Sequence, residues 1–258
     1  MADYEKILND AAEHFRALLA EQLHRQERMA LGTPAKDFAH MDHIVIGLIP
    51  GDGIGPIIMA QARRVLEKLL AAEIAGGRVE LRDIHGLTIE NRTAQGKAIP
   101  DDVLEAMKGC DVLLKGPTET PKGGTLESAN VAMRRELDLF ANVRPVSVPK
   151  LGIDWTFFRE NTEGEYALGS RGVEVPGMLS MDFKVTTDAG TRRIARAAFD
   201  FARANGKTKV AIVTKANIMK KTDGSFSRIC HEVAAEYPEI TRLAVMMSMY
   251  QSSAVISG

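Results

Sequence analysis

The sequence predicts an α/β fold with a largely parallel sheet, and three observations carry that prediction. First, the β-branched run His43 to Ile49 is followed at once by the glycine turn PGDGIGP and the helical pattern IIMAQARRVLEKLLAAE. Second, short apolar runs at Val79 to Ile84, Asp111 to Leu114, Ile153 to Phe158 and Lys209 to Thr214 alternate with helical segments at Asp101 to Met107, Thr191 to Asn205 and Ser225 to Glu236. Third, the 258 residues are 45% hydrophobic and 26% charged, enough apolar material to bury a core in one or two domains.

Taken in order, the elements begin with an amphipathic helix. From Tyr4 to Met29 the apolar residues Tyr4, Ile7, Leu8, Ala11, Phe15, Leu18, Leu19 and Leu23 recur at helical spacing. The stretch LGTPAKDFAH, with Gly32 and Pro34, then reads as a linker. Acidic residues interrupt the polar face, so this helix is expected to dock on the main body or on a second subunit rather than on a membrane. Lys and Arg total 33 against 34 Asp and Glu, which gives nucleic acid or an anionic membrane no broad attraction and points to a small-molecule partner. Cys110 and Cys230 stand far apart with no CxxC or Cys/His grouping, so neither a disulfide framework nor a zinc site is read, and a cytoplasmic setting is expected. Asp3, Glu5, Asp10 and Glu13 argue against a signal or transit peptide.

Four segments offer chemistry. Gly51, Gly53 and Gly55 flank Asp52 at the end of the first strand, where glycines admit a sharp turn or a close ligand approach; the spacing is not GxGxxG, and tight turn and ligand loop stand even. Lys115 to Gly124 is a Pro/Gly-rich loop, with Thr118, Thr120 and Ser128 adding hydroxyls. Arg134 follows in a helical stretch after Asn130, and Arg144 comes after the loop-like Ala141-Asn142; arginine grips carboxylates with a planar fork of donors, although a solvated arginine is the commoner state for either alone. FFRENTEGEY places Arg159 and Tyr166 behind an apolar strand, with Glu160, Glu163 and Glu165 read as a solvated turn. Lys215 and Asn217 lie just past the run Val210 to Thr214, where ligand groups gather in open α/β sheets.

Together these segments resemble the isocitrate/isopropylmalate dehydrogenase family. The carriers are IPGDGIGP (Ile49 to Pro56), KGPTETPKGGTLESANVAMRRELDLFANVRP (Lys115 to Pro145), RENTEGEY (Arg159 to Tyr166) and KANIMKKTDG (Lys215 to Gly224), in family order. The resemblance implies a large mixed-sheet domain with a smaller dimerisation domain, and NAD- or NADP-dependent oxidative decarboxylation of a metal-chelated 2-hydroxy acid. It further implies that Arg134, Arg144 and Arg159 hold substrate carboxylates and that Ser128 and Asn130 contact the rest of the acid. Tyr166 and Lys215 become the acid/base pair, Lys215 acting in the neighbouring subunit's site, while Thr120 and Asn217 lie near the cofactor. The Ser128-Ala129-Asn130 sequence looks like the isocitrate pattern, so isocitrate is the expected acid; an isopropylmalate or tartrate type is the alternative within the family.

Beyond Ile240 the sequence TRLAVMMSMYQSSAVISG has no Asp, Glu or His. The family's aspartates for Mg2+ or Mn2+ and its adenosine loop do not appear there, so metal ligands are expected in a missing C-terminal segment. The expected organisation is a helical extension and linker at 1–40, the first part of a large α/β domain at 41–144, and an incomplete dimerisation domain at 145–258. A homodimer or a complementing second polypeptide is the expected partner, and a noncatalytic, substrate-binding subunit is the alternative function.

Overall fold

A computed structural model describes residues 4–30, 36–120, 126–169, 171–246 and 253–257. The chain forms two compact units, one of Met1–Thr33 with Leu139–Gly258 and one of Pro34–Asp138. The division falls after Asp138, where the sequence reading set it after 144, because the segment from Ala141 onward is one continuous strand.

In the unit Pro34–Asp138 the order is β1 (Ile44–Ile49), α2 (Gly55–Leu69), α3 (Ala71–Ala75), β2 (Val79–Asp83), α4 (Ile89–Gln95), α5 (Asp101–Lys108), β3 (Val112–Lys115) and α6 (Ala129–Glu136), α1 belonging to the other unit. The three strands are parallel in the order β2-β1-β3, as the alternating pattern predicts. Ile49, Ile84, Leu87, Val103 and Met107 form its core. The helix after the glycine turn opens with Pro56 in its first turn, where the missing N–H costs nothing, but it breaks at Leu70 into α2 and α3. The helix α4 escapes a periodicity search because IENRTAQ carries no apolar stripe. Its ends are nonetheless written locally: Thr88 Oγ1 accepts from the Asn91 N–H, and Gly96 takes the left-handed conformation at φ 62°.

The other unit holds α1 (Tyr4–Ala30), β4 (Ala141–Val148), a 3-10 turn at Pro149–Leu151, β5 (Ile153–Glu160), β6 (Val173–Val175), β7 (Leu179–Met181), α7 (Asp188–Ala204), β8 (Lys209–Thr214), α8 (Thr222–Ala234), β9 (Thr241–Met246) and β10 (Ser253–Ser257). Its five-stranded sheet runs β4-β5-β10-β8-β9 and is mixed, only β8 and β9 being parallel. Phe158, Val210 and Ile212 pack with Ile194, Phe199, Phe226 and Val233 of α7 and α8 in one core. The expected loop at Ala141-Asn142 is instead the start of β4, its residues paired with Glu160 and Arg159. Pro145 lies within that strand, and β4 is an edge strand, where a residue without an N–H is tolerated.

The amphipathic α1 docks on this unit. Leu18 is buried with Ala167 and Leu168, and Phe15 meets Phe183 at 5.5 Å between ring centroids. Polar ties add direction: Arg171 forks onto the Glu21 carboxylate at 2.5 and 3.0 Å, and the His14 ring nitrogen Nε2 lies 3.0 Å from the Arg171 carbonyl oxygen. Among the described residues no helix is long and apolar enough to cross a membrane.

Candidate active site

The sequence-selected residues fall in both units. Ser128, Asn130, Arg134 and Thr120 belong to Pro34–Asp138, while Arg144, Arg159, Tyr166, Lys215 and Asn217 belong to the other unit.

In the first group the glycine turn proves to be a scaffold for the Pro/Gly loop. Asp52 is buried, and its carboxylate accepts the Ile89 N–H at 2.7 Å and the Glu119 N–H at 2.7 Å, while its own N–H donates to the Pro117 carbonyl at 2.8 Å. Gly51 sits at φ 74° with the Pro117 oxygen where a β-carbon would be, so only glycine lets the two segments touch. The tight-turn reading of this segment therefore accounts for every one of these contacts. Arg92, 0% exposed, does the same from the other side. It donates to the carbonyls of Ala98 at 2.8 Å, Glu119 at 2.7 Å and Glu127 at 3.0 Å, so one guanidinium ties together both flanks of residues 121–125. Burial holds its pKa below the usual arginine value, against the pull of the Asp52 charge. Lys115 is likewise held low by burial, opposed by Asp52 and reinforced by Arg134 and Arg92.

Ser128 occupies the N-cap of α6 without making a capping hydrogen bond, so its hydroxyl is not committed to the helix. Asn130 and Arg134 follow on α6, both half-buried, and Thr120 is exposed. The remainder of the expected loop, Pro121 to Gly124, lies outside the described residues.

In the second group β4 and β5 set the geometry. Asn142 pairs with Arg159 and Arg144 pairs with Phe157, so Arg144 and Arg159 are diagonal neighbours on one sheet face. Arg144 is exposed and donates from Nε to Asn142 Oδ1 at 3.0 Å; Arg159 donates to Asn161 Oδ1 at 3.1 Å. Asn161 is buried, and its Nδ2 reaches the Leu139 carbonyl at 3.4 Å, fixing the point where β5 leaves the sheet. The Arg159 guanidinium then lies over the Tyr166 ring, 5.3 Å from its centroid, a cation–π geometry.

Arg159, Tyr166, Lys184 and the turn between them line a cavity of about 30 Å³. That is room for about one water between these packed side chains. Lys184 was not singled out from sequence. Its Nζ lies 2.6 Å from Asp223 Oδ1 and 3.8 Å from Glu165 Oε1. Asp223, with a side chain 2% exposed, uses its second oxygen to accept the Lys215 N–H at 2.7 Å. One carboxylate thus joins the lysine at the end of β8 to the cation beside Tyr166. Lys215 is half-buried and Asn217 exposed.

The reading of Glu160, Glu163 and Glu165 as a solvated turn is corrected for the first two. Glu160 Oε2 accepts the N–H groups of Thr162 at 2.7 Å and Glu163 at 2.5 Å; its Oε1 accepts from Thr162 Oγ1 at 2.7 Å and from Arg193 at 3.2 Å. Burial pushes the Glu160 carboxyl above its ordinary value, with the neighbouring Glu163 charge adding to the effect. Glu163 is 4% exposed and holds Thr187, the N-cap of α7, accepting from Thr187 N at 2.9 Å and from the Thr187 hydroxyl. These carboxylates hide because nearby donors, Arg25, Arg193 and the start of α7, come from distant parts of the chain.

Among the described residues no three His, Cys, Asp or Glu side chains come together as a metal site, so these residues do not by themselves fit a divalent cation.

The mixed α/β scaffold places Arg144 of the edge strand diagonally across from Arg159 of β5, which lies over Tyr166, and comparison with known proteins gives the family. Residues 45–249 match the isocitrate/isopropylmalate dehydrogenase family, and the chain belongs to that family. It is 42% identical over 202 residues to an NAD isocitrate dehydrogenase regulatory subunit of Arabidopsis thaliana, covering 76% of this chain and 51% of that protein. It is 37% identical over 211 residues to an NADP isocitrate dehydrogenase of Thermus thermophilus, covering 79% of this chain and 41% of that one. A crystal structure of isocitrate dehydrogenase from Methylococcus capsulatus superposes with a TM-score of 0.67 at 36% identity, covering 79% of this chain and 60% of that one. The chain spans about half the length of the curated relatives it matches.

Proposed function

We propose that this chain binds isocitrate and, when the rest of a catalytic centre is supplied, takes part in its NAD- or NADP-dependent oxidative decarboxylation to 2-oxoglutarate and carbon dioxide. The observation that carries the reading is the placement of Arg144 and Arg159 on one sheet face, with Tyr166 stacked against Arg159. Guanidinium groups are suited to carboxylates because each offers two parallel donors, and a polyanionic acid justifies several of them. In this reading Arg134, Arg144 and Arg159 bind the carboxylates, Ser128 and Asn130 orient the acid, and Thr120 and Asn217 contact the cofactor. Tyr166 holds and delivers a proton at its phenol oxygen; Lys215, anchored by Asp223, serves the site of a second copy. The cofactor, when bound, accepts the hydride. The metal, Mg2+ or Mn2+, would need ligands from a further segment or partner.

A second reading is a noncatalytic subunit that binds the acid without turning it over. It is favoured by the similarity to a chain named as a regulatory subunit, and by the lack of a metal-binding cluster among the described residues. An isopropylmalate- or tartrate-type dehydrogenase is the third, sharing the arginines and differing at Ser128. Calorimetry of isocitrate binding, together with turnover assays containing manganese and each cofactor, separates them. Binding with turnover supports the first, binding alone the second, and no binding of isocitrate rejects both. A cytoplasmic location and assembly with a second copy or a complementing chain belong to the same proposal.

A further inference from the structure

The family match begins at residue 45, yet α1, which precedes it, reaches into the turn that carries Tyr166. Arg25, with a side chain 13% exposed, donates to Glu163 Oε1 at 3.2 Å and to Thr162 Oγ1 at 2.9 Å. Glu163 is itself clamped: its carboxylate receives the Thr187 N–H and hydroxyl at the start of α7, where the positive end of a 17-residue helix favours an anion. It lies where a β-carbon on residue 190 would stand, 2.3 Å from Oε1, so Gly190 is what makes room for it. The Glu163 carbonyl then accepts the Tyr166 N–H at 3.3 Å, and Gly164 exchanges hydrogen bonds with Val185 at 2.7 and 3.1 Å. Glu160 sits alongside as a second buried carboxylate, with Arg193 donating to it at 3.2 Å and to Thr162 at 2.9 Å. Two adjacent buried carboxylates need cationic donors, and Arg25 is one that lies outside the family-matching segment.

We propose that Arg25 is a positioning residue for the candidate active site: by holding Glu163 and Thr162 it fixes the turn Thr162 to Tyr166, which makes α1 a working part of that site. The chemical meaning of this role rests on the function proposed above, but its structural content does not. Rim contacts such as Arg171 with Glu21 attach the helix, whereas Arg25 reaches the turn's carboxylate directly.

The test uses the intact chain and the variants Arg25→Met, Arg25→Lys and, as a docking control that keeps Arg25, Glu21→Gln. Amide hydrogen exchange is read at Gly164 and Tyr166, and at Val210 to Val213 in β8 as a distant reference. Arg25→Met is expected to speed exchange at Gly164 and Tyr166 by about tenfold or more, the scale of losing hydrogen bonds to a charged group, while leaving β8 unchanged. Arg25→Lys should recover part of the protection, and Glu21→Gln should leave the turn as it is. Unchanged exchange at Gly164 and Tyr166 in Arg25→Met overturns the proposal, and so does an equal loss of protection in β8, which would mean a general fold role. Isocitrate calorimetry on the same proteins keeps the two ideas apart: an intact chain that fails to bind isocitrate rejects the functional reading, while the exchange pattern still decides the role of Arg25.

Discussion

Arg159 and Tyr166, seven positions apart, are brought together by the turn between them so that the guanidinium lies 5.3 Å from the centre of the phenol ring. Under the proposed function the pair would couple binding to proton transfer, since the cation that would grip a carboxylate also lies against the phenol ring. Arg159→Met should therefore weaken isocitrate binding by about 2 kcal/mol or more, the usual cost of truncating one partner of a buried charged contact. Tyr166→Phe should leave that affinity within about twofold while lowering any turnover by about a hundredfold, the range of general acid–base contributions. Calorimetry and a turnover assay on the two variants check the split. Equal loss of affinity in both would mean the ring, not the proton, is what matters.

Under the proposed function Ser128 is the residue expected to discriminate between acids. Its hydroxyl stands at the head of α6 free of a capping role, so a substitution there changes the chemistry offered to a ligand more than the helix. Ser128→Leu is expected to reduce isocitrate affinity by at least about tenfold, since a buried polar group of the ligand would lose its partner. Thermal unfolding should move little. Unaltered binding in this variant argues for a different hydroxy acid.

In the three-stranded sheet β1 was legible as a short β-branched apolar run ahead of the glycine turn, and in the other unit β8 was recovered at its full extent, Lys209–Thr214. The edge strand β4 was not, because an exposed edge alternates poorly and contains Pro145. The glycine turn and the arginines were visible as residue types, but their partners were not. Asp52 stands in a segment that reads equally as tight turn or ligand loop, and its carboxylate is spent on backbone amides of Ile89 and Glu119. Arg92, Lys184 and Arg193 left no signal: each is one charged residue in an ordinary segment, and only the tertiary fold turns it inward. Asp223 could have been suspected from its place in the first turn of a helix directly after Lys215 and its neighbours.

Asp223 carries a stability prediction. Its carboxylate meets Lys184 at 2.6 Å with side chains 2% and 14% exposed, so the pair is buried on both sides. Removing the charge on one partner strands the other, and Asp223→Asn should cost about 3 kcal/mol in urea unfolding. The double variant Lys184→Met with Asp223→Asn should cost less than the single one, because the uncompensated ammonium is gone. Asparagine still offers an oxygen to the Lys215 N–H, so the end of β8 should keep its place. A double variant as unstable as the sum of the two singles would show that the ion pair contributes nothing of its own.

Glu160 makes the stability of its unit depend on pH in a direction opposite to most carboxylates. Burial, with the Glu163 charge added, raises its pKa in the folded state above the ordinary glutamate value, although Thr162 and Arg193 pull the other way. Between the ordinary value and the raised one the folded chain holds a proton that the unfolded chain has lost, so stability falls as pH rises through that window. Below it both states are protonated and the contribution is complete; above it the contribution is gone. Glu160→Gln removes this titration and should flatten that part of the profile, measured by urea unfolding at closely spaced pH values from mildly acid to neutral. The variant should also be less stable at every pH, because all of the donors around the carboxylate, Thr162 N, Glu163 N, Thr162 Oγ1 and Arg193, point inward and would face an amide NH2 at one of its two positions. A wild-type curve that rises with pH across the same interval would contradict the burial-driven shift and leave Arg193 as the stronger influence.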